Sequence, residues 1–222
     1  MAHIHMHEGT FPIQWAALWT VVALVVLAAF IYRLRGRTRL DVQRISLAAI
    51  LAALAFIVSQ VEVPVFGGVH ISLTPLIGIS AGIPLGGIVV FVVNIFDAGV
   101  GHAGWGLVGA NTLIQIVELS VAYGAYKGLR RVKLGVFGSG ATASVMALMA
   151  GLAVMVGIIV LSGIQGLDAE VAGQMGNLSL LIAVNLAAGI VEAVVTGSIL
   201  QHLYKVKPEL IGEARRREPE KG

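Results

Sequence analysis

Every Lys and Arg of this chain falls into one of three short clusters, and the long runs between the clusters carry none. The first cluster is Arg33, Arg35, Arg37, Arg39 and Arg44; the second is Lys127, Arg130, Arg131 and Lys133; the third is Lys205, Lys207, Arg215, Arg216, Arg217 and Lys221. The runs between them are overwhelmingly apolar. Over the whole chain 57% of residues are hydrophobic and 12% charged, with a mean hydropathy of +0.90. A soluble domain of this size does not have that balance, so the chain is read as a polytopic membrane protein in contact with the lipid bilayer. Lys and Arg that flank membrane spans stay on the cytoplasmic side. The three clusters are therefore expected to share that side, with the N-terminus outside. Juxtamembrane topology accounts for the basic tail, and no nucleic-acid partner is expected. The positive charges follow the first apolar run instead of preceding it, the wrong order for a cleaved signal peptide.

A span needs about 20 apolar residues. The first runs from about Trp15 to Tyr32, with Trp15 and Trp19 at the outer interface and Tyr32 at the inner one. Ile45 to Gln60 is the second, and it leads to an outer loop, Val61 to His70. From Ile71 to Ala98 the apolar run is broken by Pro75, Gly78, Gly82, Pro84, Gly86 and Gly87. Two short helices meeting near Ile83 to Gly87 are expected there, as two crossings or a re-entrant hairpin; either keeps the later basic clusters on one side. An outer loop from Asp97 to Gly109 follows, then helices at Ala110 to Tyr126, Val136 to Ile164 and Asn177 to Tyr204. The expectation is an all-α bundle of about seven transmembrane helices in the cell membrane, N-terminus outside and C-terminus cytoplasmic. It forms a single domain over 1–222: an N-terminal segment 1–10, a first helix 11–32, a six-helix core 45–204 and a tail 205–222. No repeat of 20 to 50 residues marks a solenoid or an inverted-repeat transporter.

The chemistry suggested by the sequence begins at its first residues, Met1-Ala2-His3-Ile4-His5-Met6-His7. With no cysteine in the chain, any metal must be held by nitrogen, oxygen or thioether ligands. If Met1 is removed, the amine of Ala2, the amide and the imidazole of His3 form fused chelate rings in one plane, leaving a fourth position open. If Met1 is retained, His3 is third and the amine, two amides and the imidazole fill the plane. A planar set of nitrogens suits Ni(II). His70, outside beside Gly67-Gly68, is the first candidate for the fourth ligand; His102, on the other outer loop, stands behind it. His5 and His7 make the start equally readable as a His-rich tract. His202 reads as an interfacial residue.

Glu118 and Glu192 lie within spans, where a charge is costly. They read either as proton-relay acids of an ion-coupled secondary transporter or as carboxyls hydrogen-bonded to Asn94, Asn111 or Asn185. Ala48, Ala49, Ala52 and Ala53 place two small-xxx-small pairs on the second span, suited to close helix contact within the bundle or with a partner. The chain has neither a Ser/His/Asp nor an HExxH arrangement, and no phosphate-binding GxxxxGK[ST] loop, so it reads as a transport component without enzymatic activity of its own.

Three segments together carry a family resemblance: His5-Met6-His7-Glu8-Gly9, then Phe66-Gly67-Gly68-Val69-His70, then Phe96-Asp97-Ala98-Gly99-Val100-Gly101 with Leu107-Val108-Gly109-Ala110-Asn111. They resemble the CbiM/NikM family, the substrate-binding membrane subunits of energy-coupling-factor cobalt and nickel transporters. The resemblance implies that Ni(II) or Co(II) is the transported substrate, held by the terminal amine, the amide and imidazole of an adjacent His, and a later His matching His70. The family's mature chain begins Met-His, whereas this one has a short extension. Counted from the terminus, Ala2-His3 takes that place; counted back from Glu8-Gly9, His5 does. The favoured set is Ala2, His3 and His70 with His5 as an added ligand, ahead of His7, His102 and Met1. The resemblance also implies partners: a membrane coupling subunit contacting the Ala48/Ala49/Ala52/Ala53 helix, ATPase subunits, and a small accessory membrane subunit.

Overall fold

The computed structural model describes residues 12–37, 42–61, 71–162 and 178–207, with side chains throughout except at 159 and 178–188. Among them are seven α-helices, α1 (Ile13–Arg37), α2 (Val42–Ser59), α3 (Thr74–Ala81), α4 (Ile83–Gly99), α5 (Val108–Arg131), α6 (Val136–Leu161) and α7 (Leu178–Val206), plus a 3-10 turn at Trp105–Leu107. The all-α membrane bundle expected from the sequence is the architecture found. α1, α2, α5 and α6 are each long and apolar enough to cross a bilayer. α5 packs most extensively on α6, which in turn carries α7; α1 and α2 close over α4.

The molecule's surface identifies its solvent. Val25 and Val160 are 64% and 71% exposed, and Leu24, Ile50, Met149 and Ile190 also face outward. Glu118, Glu192, Thr112 and Thr196 are instead fully buried. Apolar girdle outside and polar groups inside is the pattern of a chain whose backbone bonds are satisfied within helices and whose surface meets lipid.

The break between α3 and α4 falls at Gly82, just ahead of the Ile83 to Gly87 stretch expected from the sequence. The reason lies in where proline is tolerated. Pro75 and Pro84 each sit in the first turn of a helix, where the missing N–H has no intrahelical partner to lose, so Pro84 opens α4 instead of interrupting it. The reversal rests on Gly82, at φ 77° and ψ 171°, a conformation open to glycine alone. Gly82→Ala is therefore expected to lower stability by about 1–3 kcal/mol, read as a lower midpoint of thermal unfolding in detergent. With eight residues, α3 reaches about 12 Å and does not cross a ~30 Å hydrocarbon layer by itself. It is a buried half-helix, enclosed by protein from Thr74 to Ile79.

Contacts define which helix ends lie together. Trp19 Nε1 donates to Ser162 Oγ at 2.9 Å, Gly106 lies against Ala16, and Ser59 Oγ reaches Asp97. The start of α1, the ends of α2, α4 and α6 and the start of α5 therefore share one end of the bundle. Arg130 stacks over the Tyr204 ring at 5.6 Å and Gly197 abuts Phe137, so the end of α5, the start of α6 and the end of α7 share the other. The second and third basic clusters meet there. That is the end expected from the charge rule to face the cytoplasm.

Candidate functional site

Met1, Ala2, His3, His5, His7 and His70 lie outside the described residues. Their points of attachment do not. Pro12 enters α1 beside the Trp105–Leu107 turn, and Val61 leaves α2 where Ser59 meets Asp97. The histidine-rich start and the point where the 62–70 segment leaves α2 therefore lie at the same end, whereas that segment's other attachment, Ile71, is next to Ser72, which bonds Glu192 in the middle of α7. Trp15 and Trp19 stack at that shared end with ring centroids 6.1 Å apart.

Asp97 organises this end. Its carboxylate Oδ1 accepts from Ser59 Oγ and from Gln60 Nε2, both at 2.8 Å, which ties α2 to α4. Its backbone oxygen accepts from the amide N–H of His102 at 2.9 Å and that of Ala103 at 3.3 Å, which folds the loop after α4 back over the helix end. His102 is half-buried beside Asp97 and in electrostatic contact with it. Among the described residues no three His, Cys, Asp or Glu side chains gather closely enough to hold a metal ion. His102 and Asp97 form a pair, short of a ligand set. Asp97 was visible in the sequence only as part of the loop motif; its junction with Ser59 and Gln60 needs the fold, because the residues are 37 and 38 positions apart.

The first described residues after His70 lead directly inward. Ser72 Oγ donates to Glu192 Oε1 at 3.0 Å and accepts from the Thr74 amide at 3.3 Å. Between them Leu73 is buried with φ 54°, a left-handed conformation that costs a non-glycine residue about 1–2 kcal/mol. That strain is held by the hydrogen bonds on either side and by the burial of the leucine. The chain that begins α3 is thereby pinned to the middle of α7.

Among the described side chains, Asn94 and Asn111 are not the partners of the intramembrane glutamates. Asn94 Nδ2 donates to Gln115 Oε1 at 2.8 Å and to Thr112 Oγ1 at 3.3 Å, a buried α4–α5 network of its own. Glu192 takes Ser72, and both carboxyl oxygens of Glu118 lie without a hydrogen-bond partner among the described residues. The side chain of Asn185 is outside the described set. Glu118 fits only because residue 151 is glycine: a Cβ there would overlap its carboxyl group. The sequence signal for that pairing is slight, a glycine in an apolar helix.

The four alanines of α2 divide between two faces. Ala48 is buried and Ala52 half-buried against the bundle, beside Leu51 and Ala55. Ala49 and Ala53 are exposed with Ile50 and Ile57, leaving a small-residue strip on the outer surface. His202 is exposed near the end of α7.

Comparison with known proteins places this geometry. Residues 5–210 match the family model CbiM, described as "Cobalt uptake substrate-specific transmembrane region". The chain is 28% identical over 222 residues to the cobalt transport protein CbiM of Geobacter sulfurreducens, covering 95% of this chain and 62% of the relative. It thus spans under two thirds of that protein's length. It is 26% identical to the putative cobalt transport protein CbiM 2 of Methanosphaerula palustris, covering 94% of this chain and 90% of the relative. A solved structure of a transition metal transporter superposes with a TM-score of 0.77 at 23% identity, covering 96% of this chain and 100% of the other, a likeness of fold. A truncated transition metal transporter gives 0.74 at 23% identity, over 91% of this chain and 99% of the other. With the match extending from the histidine-rich start to the end of the last helix, the chain belongs to the CbiM family of cobalt uptake substrate-specific transmembrane regions.

Proposed function

We propose that the chain is the substrate-capturing membrane component of an ATP-driven Co(II) or Ni(II) uptake system. The observation that carries this reading is the family match over residues 5–210. The ion is taken at the outer end by the terminal amine, the amide and imidazole of His3, and the imidazole of His70, with His5 as an added ligand. Pro12 and Val61, an attachment point of each ligand-bearing segment, lie at one end of the bundle, and this supports convergence of those segments. Amide and imidazole must lose protons to bind, so affinity falls as the pH falls. Of the two metals, a planar all-nitrogen set favours Ni(II) electronically, while the relatives are named for cobalt.

Energy comes from outside this chain. A membrane coupling subunit docks on α2, where Ala49 and Ala53 offer the close approach that small residues permit. ATPase subunits and a small accessory membrane subunit complete the assembly.

Vesicle uptake tests the reading. Radiolabelled cobalt is expected to accumulate only when the chain is reconstituted with its coupling and ATPase partners and ATP. Accumulation by the chain alone, driven by a proton gradient and lost in Glu118→Gln and Glu192→Gln, would instead establish the secondary-transporter reading that the buried carboxyls suggest.

A further inference from the structure

The turn from α5 to α6 holds a lysine where glycine would sit with less strain. The Lys133 amide donates to the Arg130 carbonyl at 3.1 Å and the Leu134 amide to the Leu129 carbonyl at 3.2 Å. This pair of bonds closes many helices, and the left-handed residue it requires is usually glycine. Here that residue is Lys133, at φ 65°, although Gly135 stands two positions further on. A side chain is strained in that conformation, and such strain concentrates where a residue has a task besides folding. Lys133 is exposed, as are Arg131, Val132 and Leu134 beside it.

The end of α7 brings a further cation to this turn. Arg130 donates to the Leu134 carbonyl at 2.7 Å and lies 5.6 Å over the ring of Tyr204, whose neighbour in the chain is the exposed Lys205. Acidic residues are missing from both stretches. No Asp or Glu lies between Glu118 and Asp168 or between Glu192 and Glu209, and residues 208–222 add four acids and four bases, so they do not offset the excess. Exposed apolar surface borders the cations: Val132 and Leu134 in the turn, Phe137 in the first turn of α6 and Val206 at the end of α7. Membrane topology accounts for the sign of the charge at this end. It does not account for a strained lysine set among exposed apolar side chains.

Cations bordered by lipid-facing apolar surface match a ligand with an anionic head and apolar tails. Basic pockets between membrane helices bind such headgroups, arginine as a planar fork and lysine as a point charge. We propose that Arg131, Lys133 and Lys205 form a binding site for the headgroup phosphate of an anionic phospholipid, whose acyl chains lie against Leu134 and Phe137. The site does not depend on the metal-uptake reading.

Native mass spectrometry of the full-length chain in detergent, titrated separately with phosphatidylglycerol and phosphatidylcholine, tests it. At about fivefold for each of the three cations, one phosphatidylglycerol is expected to bind on the order of 100-fold more tightly than phosphatidylcholine. Lys133→Gly relieves the left-handed strain, so its midpoint of thermal unfolding should be unchanged or higher while phosphatidylglycerol binds about fivefold more weakly. Lys205→Gln, an exposed substitution on another helix, should cost the same factor. A Lys133→Gly protein with unaltered lipid affinity would show that the lysine serves the turn alone, and overturns the site. So does equal retention of the two lipids. Arg33→Gln combined with Arg35→Gln removes exposed cations from the end of α1 and should leave affinity unchanged; a loss matching that of Lys133→Gly would mean diffuse attraction, with no site. Inorganic phosphate bound as tightly as the lipid would make this a free-anion site and overturn the lipid as its occupant.

Discussion

Replacing Gly78 by leucine is expected to prevent the bundle from assembling, with little protein recovered from membranes. Gly78 lies on the buried half-helix α3 with its Cα pressed against the backbone of α5, and a Cβ built there would overlap the carbonyl and Cα of Leu119. A backbone cannot rotate aside as a side chain can. α3 would have to move off α5, opening Leu76, Ile77 and Leu119, all almost fully buried. Helices in a bilayer are held by van der Waals packing because lipid is as apolar as leucine, so a lost seam is not recovered by a hydrophobic driving force. Overpacking of this kind costs about 1–3 kcal/mol where side chains can yield, and more where backbone must move. Gly124→Leu is the control: Gly124 is exposed, nothing lies within contact of a Cβ at that position, and normal yield is expected. Equal recovery of the two variants would show that the α3–α5 contact does not hold the fold.

Acetylating the N-terminal amine, or replacing His70 by alanine, is expected to lower cobalt and nickel affinity by more than about 100-fold, the upper end of what loss of an outer-shell partner costs a metal site. The proposed chelate explains why both should act so strongly. The amine anchors the fused rings through which the first amide binds, so blocking it removes several bonds together. The imidazole of His70 completes the plane when Ala2 is the first residue. The mass of the mature N-terminus separates the two chelates: with Met1 retained the plane is filled without His70, and His70→Ala should then leave affinity nearly unchanged. Isothermal titration of the purified, tag-free chain measures each case. Wild-type affinity after acetylation would remove the basis for metal capture by the terminus.

The helices themselves were legible in the sequence. A span must supply about 20 apolar residues and keep its charges at its ends, so the charge clusters and apolar runs outlined α1, α2, α5, α6 and α7 to within a few residues. The rotation of each helix was not. Lipid-facing and core-facing positions are both apolar here, so no amphipathic periodicity shows which side turns inward. Ala48 and Ala49 are equivalent by composition, yet one is buried and the other exposed. The proposed capture residues at the terminus and His70 were nominated from chemistry and family resemblance, whereas the Ser59–Asp97 and Ser72–Glu192 bonds join residues far apart in the chain and could be seen only when folded.

By itself, then, the sequence determined the class of solvent, the helical architecture and the positions of most spans, because the bilayer imposes length and charge rules that a linear pattern must obey. Tertiary structure alone decided where the chain reverses at Gly82, that α3 is a half-helix enclosed by protein, and that Glu118 rests in the space left by Gly151. Those outcomes depend on close approach between helix surfaces, which is set by the shapes of side chains distant in sequence and leaves no periodic signal along the chain.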